Sequence, residues 1–206
     1  LNTVDLPKLE IAGSFLFAHC YVLNNISTPN VSDCGSHIFA NCNLITSLSL
    51  PKLEVCDSYF LNQTRMTFIN FSKLAFCPPY LFNQSPYIVE VHLASALLIS
   101  NHSFNNCSQL EIVDLPSVES TESYAFARCV SLKSVDFPTL VTIGDHTFAG
   151  CDKIESVDTL KNLVNIGPSS FEGCTSLKHV SFTNPKLKQL AACTFKDCTS
   201  LSYLFV

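Results

Sequence analysis

The sequence has little charge, little glycine and no tryptophan. Of its 206 residues, 14% are charged, 6 are glycine and 47% are hydrophobic. Globular domains average about 25% charged residues, so this composition excludes a disordered chain. Lys and Arg number 12 against 17 Asp and Glu, which gives a formal net charge of -5. A partner of strongly negative charge, such as nucleic acid, is therefore not expected.

The sequence also lacks a long hydrophobic run and the common catalytic motifs. Its longest apolar stretch, residues 88–99, is interrupted by Glu90 and His92 and is shorter than the roughly 18 residues of a membrane span. Direct membrane insertion of this segment is not expected. There is no GxSxG, HExxH or Gly-rich phosphate loop and no CxxC pair, and the single CxxH, at residues 34–37, has no second pair to complete a four-ligand zinc site. We therefore expect no catalytic residues, no bound metal and no cofactor.

What the sequence has in excess is cysteine and phenylalanine, 11 and 16 residues. Nine of the Phe recur at spacings of 21 to 24 residues. Seven Cys follow this Phe by three residues, and Gln63 and Ser85 take the Cys position in the third and fourth copies. The Phe column is Phe17, Phe39, Phe60, Phe82, Phe104, Phe126, Phe148, Phe171 and Phe195, and the Cys column is Cys20, Cys42, Cys107, Cys129, Cys151, Cys174 and Cys198.

Each repeat also contains a strand-like segment. Counted from the Cys position, the third and sixth residues are always apolar and the eighth usually is, as in LKSVDF at 132–137. Pro often follows and ends the strand. A single coil cannot bury its apolar columns, so neighbouring coils must stack with like residue over like. This predicts one solenoid over 1–206 with nine Phe-marked coils, one strand per coil, a parallel sheet on one side and a Phe and Cys spine on the other.

The pattern resembles the BspA-like leucine-rich repeats. The resemblance is strongest in FARCVSLKSVDFPTLVTIGDHTFAGCDKIESVD at 126–158 and FEGCTSLKHVSF at 171–182. It implies a right-handed leucine-rich-repeat superhelix with a concave parallel sheet, of α/β-type or mainly β class. It also implies a cell-surface or secreted adhesion module without catalytic residues. Neither end shows the polar, atypical repeat of a cap, so one or both caps are expected to be missing.

The cysteines are expected to be buried free thiols that pack as small hydrophobic side chains. Cys34 and Cys77 stand five residues before the Phe, where other copies have Ile. Cys56 lies between them, shifted by one residue. For Cys56 the alternative to a free thiol is a disulfide to either neighbour, if the chain is in an oxidising compartment. Cys193 fits no column. The six His are scattered through different repeat positions.

The exposed strand face is the predicted binding surface. Positions five and seven point outward because strand side chains alternate. Asp114, Asp136 and Asp158 then stand one strand spacing apart and repel one another, which favours a cation or a basic partner. The alternative is a face whose charges only keep the strands solvated. The candidate residues are Glu90, His92, Glu111, Asp114, Asp136, Glu155, Asp158, His179 and Tyr203.

Seven Asn-x-Ser/Thr sequons all lie before residue 109. They indicate either glycosylated coils of a secretory protein or only a polar surface. Asn25 and Asn70 fall on the predicted binding face, where glycans would mask it. The candidates are Asn25, Asn30, Asn62, Asn70, Asn83, Asn101 and Asn106.

These features predict a non-catalytic module that binds a protein or a glycoconjugate at the cell surface or after secretion. The alternative is an intracellular, cytoplasmic scaffold with no surface role. A rigid repeat face suits both, because the fold determines the shape of the face and not its partner.

Overall fold

The polypeptide forms short strands because the β-branched and aliphatic runs between its turns are short. The structure, a computed structural model, describes residues 1–206 and is mainly β, with no helix. The strands are β1 (Thr3–Asp5), β2 (Ile11–Ala12), β3 (Asn25–Ser27), β4 (Asp33–Cys34), β5 (Val55–Cys56), β6 (Phe68–Asn70), β7 (Phe76–Cys77), β8 (Glu90–His92), β9 (Leu98–Ile99), β10 (Ile112–Asp114), β11 (Ser120–Thr121), β12 (Thr142–Ile143), β13 (Ser156–Val157), β14 (Asn165–Ile166), β15 (His179–Ser181) and β16 (Tyr203–Phe205).

The strands stack into two parallel ladders on different sides of the coils. We call the ladder of β1, β3, β6, β8, β10, β13, β15 and β16 the front ladder, and the other eight strands the back ladder. The front ladder is the predicted sheet. The prediction of only one strand per coil was wrong, because most coils also contribute a strand to the back ladder. Each of these back strands has only two residues. Two residues are too few to show the alternation by which a strand is recognised.

Neither ladder is continuous. The front ladder consists of three sheets, β1–β3, β6–β8–β10 and β13–β15–β16. Residues 46–49 and 133–136 occupy the equivalent position in their coils without forming strands. The back ladder is interrupted once, between β5 and β7. The front surface is therefore divided into separate patches.

The apolar columns form one core that runs through the stack. A cluster of 54 buried residues extends from Val4 to Cys198. The third-position residues Leu23 to Leu177 are fully buried, as predicted. Rings of the Phe column stack on their neighbours with centroid distances of 5.0 to 5.7 Å. Stacking of like residues over like is thus confirmed for most of the chain.

The third copy departs from the predicted alignment. The amide of Phe17 donates to the Ile38 carbonyl, one residue before its partner Phe39. The amide of Phe39 donates in the same way to the carbonyl of Phe60. Leu61 therefore stands in the Phe column, and the placement of Phe60 there was wrong. No ring stacking joins Phe60 to Phe82, so the aromatic spine is interrupted at this coil.

The same one-residue correction applies to the cysteines. Thr64, which is buried, takes the Cys position instead of the exposed Gln63. The third copy is one residue shorter than most others, and the missing residue lies between Thr64 and Met66. Cys56 is consequently not shifted, because it pairs in register with Cys34. Cys56 is a buried free thiol in an ordinary core position.

The thiols of the Cys column are hydrogen-bond donors as well as packing groups. Six of them donate to the carbonyl of the Phe in the preceding coil, with Sγ to O distances of 3.0 to 3.2 Å. Burial raises the pKa of Cys107 to about 12 and that of Cys42 to about 11. The thiols therefore remain protonated and able to donate. The donors are Cys42, Cys107, Cys129, Cys151, Cys174 and Cys198.

Ser85 shows what the thiol contributes. It is fully buried in the Cys column, and its hydroxyl has no hydrogen-bond partner. A buried polar group without a partner costs about 1–3 kcal/mol. We expect Ser85→Cys to raise the free energy of unfolding by about 1 kcal/mol. The new thiol would stand opposite the Leu61 carbonyl of the preceding coil, as the Cys107 thiol stands opposite the carbonyl of Phe82. Thermal unfolding should then shift upward by about 2–4 °C.

The matched control is Cys107→Ser in the next coil. It should lower the unfolding temperature by a similar amount, because its hydroxyl replaces a bonded thiol. If both variants shift the temperature in the same direction, the thiol-to-carbonyl bond is not a stabilising interaction.

Candidate binding face

The side chains of the front ladder alternate as predicted. Central residues such as Ile69 and Val91 are buried, and their neighbours on either side face solvent. We call the exposed side chains of this ladder the front face. The front face also includes the residue that comes immediately before each strand, such as Glu111 before β10. Its chemistry differs among the three sheets, because each coil contributes different residues at the same two exposed positions.

The sheet β6–β8–β10 has the densest group of candidate residues on the front face. We call its exposed side chains the central patch. They form two rows across the strands, Phe68, Glu90 and Ile112 in the first and Asn70, His92 and Asp114 in the second. Phe68 and Ile112 are each 48% exposed. Most other coils have Ser, Asn, Thr or His at the first-row position, so these two large apolar side chains distinguish the patch.

His92 links the two neighbouring acidic side chains of the central patch. Its Nε2 lies 2.7 Å from Glu90 Oε1 and its Nδ1 lies 3.1 Å from Asp114 Oδ2. The ring also contacts Phe68, at a centroid distance of 5.5 Å. The hydrogen bonds to Glu90 and then Asp114 raise the pKa of His92 above its ordinary value. Asp114 is therefore paired with a histidine and not only opposed to other aspartates.

A shallow depression adjoins the central patch where the front ladder is interrupted. It has a volume of about 390 Å³ and is lined by Leu48, Pro51, Phe68 and Asn70, among others. The depression exists because residues 46–49 form no strand beside β6. One side of Phe68 consequently borders a concave surface.

Lysines neutralise two of the candidate acidic residues. Lys133 Nζ lies 2.5 Å from Glu111 Oε2, and Lys178 Nζ lies 3.0 Å from Glu155 Oε2. Each pair joins the same position in adjacent coils, which makes a column of alternating charge. The predicted acidic surface is therefore less negative than its carboxylates alone indicated.

The remaining candidates lie outside the central patch. Asp136 belongs to the coil segment that forms no strand, and Asp158 follows β13. Both are exposed, and neither makes an ion pair. His179 and Tyr203 are neighbours on β15 and β16, with ring centroids 5.4 Å apart. The candidates thus occupy different sheets and do not converge on one point.

The sequons differ in the exposure of their asparagines. Asn25 and Asn70 are exposed on β3 and β6, on the front face. Asn101 and Asn106 are exposed on the turns between the ladders. Asn30, Asn62 and Asn83 are half-buried, and the Asn30 amide donates to the Pro7 carbonyl.

An aromatic column was missed by the sequence interpretation. Seven rings stack along the axis on the turn after the back ladder, with centroid distances of 4.6 to 4.9 Å. We call it the edge stack. The description of the histidines as scattered was wrong for three of the six. The recurrence two residues before the Phe column was the available signal. The edge stack is Phe15, His37, Tyr59, Tyr80, His102, Tyr124 and His146.

The edge stack is held by an unusual backbone conformation. All seven of its residues have φ between 53° and 61°, in the left-handed region. A second left-handed position follows four residues later, where Gly150 and Gly173 have φ of 71° and 73°. Non-glycine residues take up this conformation only infrequently. The repeated turn thus fixes the rings of successive coils directly above one another.

Stacked coils of parallel strands with columns of equivalent residues define a solenoid repeat protein. The family described as BspA type leucine rich repeat region matches residues 1–89 and 97–206, in six copies. The chain belongs to this family. No curated protein gives a significant match. The structure contains no helix whose length and apolar character would allow it to cross a membrane.

Solved bacterial structures share the fold. A leucine-rich repeat protein of T. pallidum has a TM-score of 0.66 and 25% identity over 72% of each chain. One from Bacteroides ovatus has a TM-score of 0.67 and 19% identity, over 98% of this chain and 66% of the other. A leucine rich cell surface protein from Faecalibacterium prausnitzii has a TM-score of 0.56 and 17% identity, over 100% and 73%.

The histidine of the central patch gives a testable titration. We expect His92 to titrate above the usual value of about 6.5, because both acidic partners favour the imidazolium. Its stabilising contribution is then fully present below that value and is lost as pH rises through the folded pKa. Glu90→Gln should lower the midpoint more than Asp114→Asn does. NMR titration of the imidazole measures this. A midpoint that both substitutions leave unchanged would contradict the observed contacts.

Proposed function

We propose that the chain is a non-catalytic binding module of a cell-surface or secreted, adhesin-like protein. Its ligand is a protein or a glycoconjugate, and the central patch with its adjoining depression is the contact surface. The observation that supports this most strongly is the exposure of Phe68 and Ile112 on one hydrogen-bonded sheet. Apolar and aromatic anchors surrounded by polar groups are typical of the energetic centres of protein interfaces.

The polar residues of the patch add directional contacts. Glu90, His92 and Asp114 lie between and beside the two apolar side chains. Because His92 holds both carboxylates, their geometry is fixed before a ligand arrives, which reduces the entropy lost on binding. The break in the front ladder supplies a concave wall at Phe68.

Membership of the family and the structural neighbours support a surface role. One neighbour is a leucine rich cell surface protein and another is the pneumococcal vaccine antigen PcpA. The sequons are compatible with passage through a secretory pathway. A glycan at Asn70 would lie within the central patch and would cover the adjoining depression. Glycosylation of Asn70 would therefore count against the use of this part of the front face as the contact surface.

The test is binding to a panel of immobilised extracellular glycoproteins, each presented intact and after enzymatic deglycosylation. The paired panel separates a protein ligand from a glycan ligand. For any glycoprotein that binds, we expect Phe68→Ser with Ile112→Ser to reduce affinity at least about tenfold, as loss of interface anchors does.

Phe76→Ser is the matched control. Phe76 is 57% exposed but lies on β7 of the back ladder, so its loss removes a similar area from another surface. Affinity should be retained in this variant. Equal affinity of the double variant and the native chain, or a loss confined to Phe76→Ser, would overturn the central patch as the contact surface. Absence of binding throughout the panel would favour the alternative of an intracellular scaffold.

A further inference from the structure

A second concave site lies beside the edge stack, away from the front face. It is a groove of about 460 Å³, within the usual size of small-molecule sites. Its floor is formed by small residues, Ala127, Ala149 and Gly150, where the coils on either side have Asn105 and Glu172. The groove is thus bounded at both ends along the axis. Its polar lining is His102, Asn105, Tyr124, Arg128, His146 and Glu172.

The edge stack determines which part of each ring the groove presents. Tyr124 lies between His102 and His146, at centroid distances of 4.8 and 4.6 Å and with ring planes within 8° of parallel. Both faces of Tyr124 are therefore covered. The ring edges, with a phenol hydroxyl and imidazole nitrogens, are left to form hydrogen bonds with a ligand.

Arg128 is the unpaired cation of this groove. Its guanidinium makes no ion pair, whereas Lys196 Nζ lies 2.6 Å from Glu172 Oε1. That hydrogen bond lowers the pKa of Glu172, so the carboxylate is ionised and already neutralised. His146 Nδ1 lies 3.9 Å from the other Glu172 oxygen. The positive charge left over belongs to Arg128, in a chain whose net charge is -5.

We propose that this groove binds a saccharide that bears a carboxylate, of the hexuronic acid type. A guanidinium binds a carboxylate through two parallel hydrogen bonds. Asn105, Tyr124 and the two histidines supply donors and acceptors for hydroxyl groups beside it. One arginine without an ion-pair partner among several other polar groups suits a ligand with one charge and many hydroxyls. It suits an acidic peptide less well, because repeated carboxylates would require repeated cations.

The groove is independent of the front face, so this inference does not rest on the proposed function of the central patch. Titration calorimetry or NMR titration of the full chain with glucuronic acid is the direct test. Glucose supplies the hydroxyls without the charge, acetate supplies the carboxylate alone, and a hexaglutamate peptide supplies repeated carboxylates. We expect glucuronic acid to bind at least about tenfold more tightly than any of the three, since both groups of contacts are then satisfied.

Arg128→Gln should reduce the affinity for glucuronic acid at least about tenfold. Arg65→Gln is the matched control, because Arg65 is the only other arginine and contacts Tyr87 outside the groove. Tyr124→Phe removes one hydroxyl from the lining and should weaken binding without loss of stacking. No binding of glucuronic acid, unchanged binding in Arg128→Gln, or equally tight binding of acetate or the peptide would overturn the proposal.

Discussion

The structure depends on the requirement that each coil lie in register on the next. A coil of about 22 residues cannot enclose its own apolar side chains, so burial is completed only by the equivalent residues of its neighbours. Parallel strands about 4.8 Å apart set the repeat along the axis. The Phe spine, the edge stack and the thiol bonds are all consequences of this spacing. Planar rings stack at this distance, and a thiol reaches the carbonyl of the coil before it.

Register also explains where the stack is irregular. One residue is missing between Thr64 and Met66, and this coil lacks both the spine phenylalanine and the column cysteine. Leu61 and Thr64 take their places, while Phe60 packs against Phe39 at a tilt of 59°. The back ladder is interrupted at the same coil. The departure is confined to one coil because the following coils again stack like over like. The depression beside Phe68 borders this coil on the front side.

The repeat could be predicted from the sequence because its signal is summed over nine copies. The parallel solenoid, the buried columns and the outward positions followed from recurrence, and the family followed from the resemblance of the repeated pattern to the BspA-like repeats. The back strands could not be predicted, since Thr142–Ile143 and its equivalents are too short for a period. The edge stack was missed because Tyr, His and Phe alternate within it and only their shared ring shape is constant. Contacts across coils, such as those of His92 and Lys133, required the register of neighbours that are 22 residues apart. The outward positions of the front strands were predicted, but the division of this face into patches was not.

The central claim is that the repeated cysteines are reduced, buried members of the stack. The most direct measurement is a maleimide count by mass spectrometry on protein isolated from its source without a reducing agent, before and after denaturation. In the native protein Cys193, the one exposed thiol, should react rapidly and the half-buried Cys20 slowly, while the 9 buried thiols are protected. After denaturation all 11 should react. Rapid native reaction of the column thiols, or a denatured count below eleven because disulfides had formed, would contradict this account.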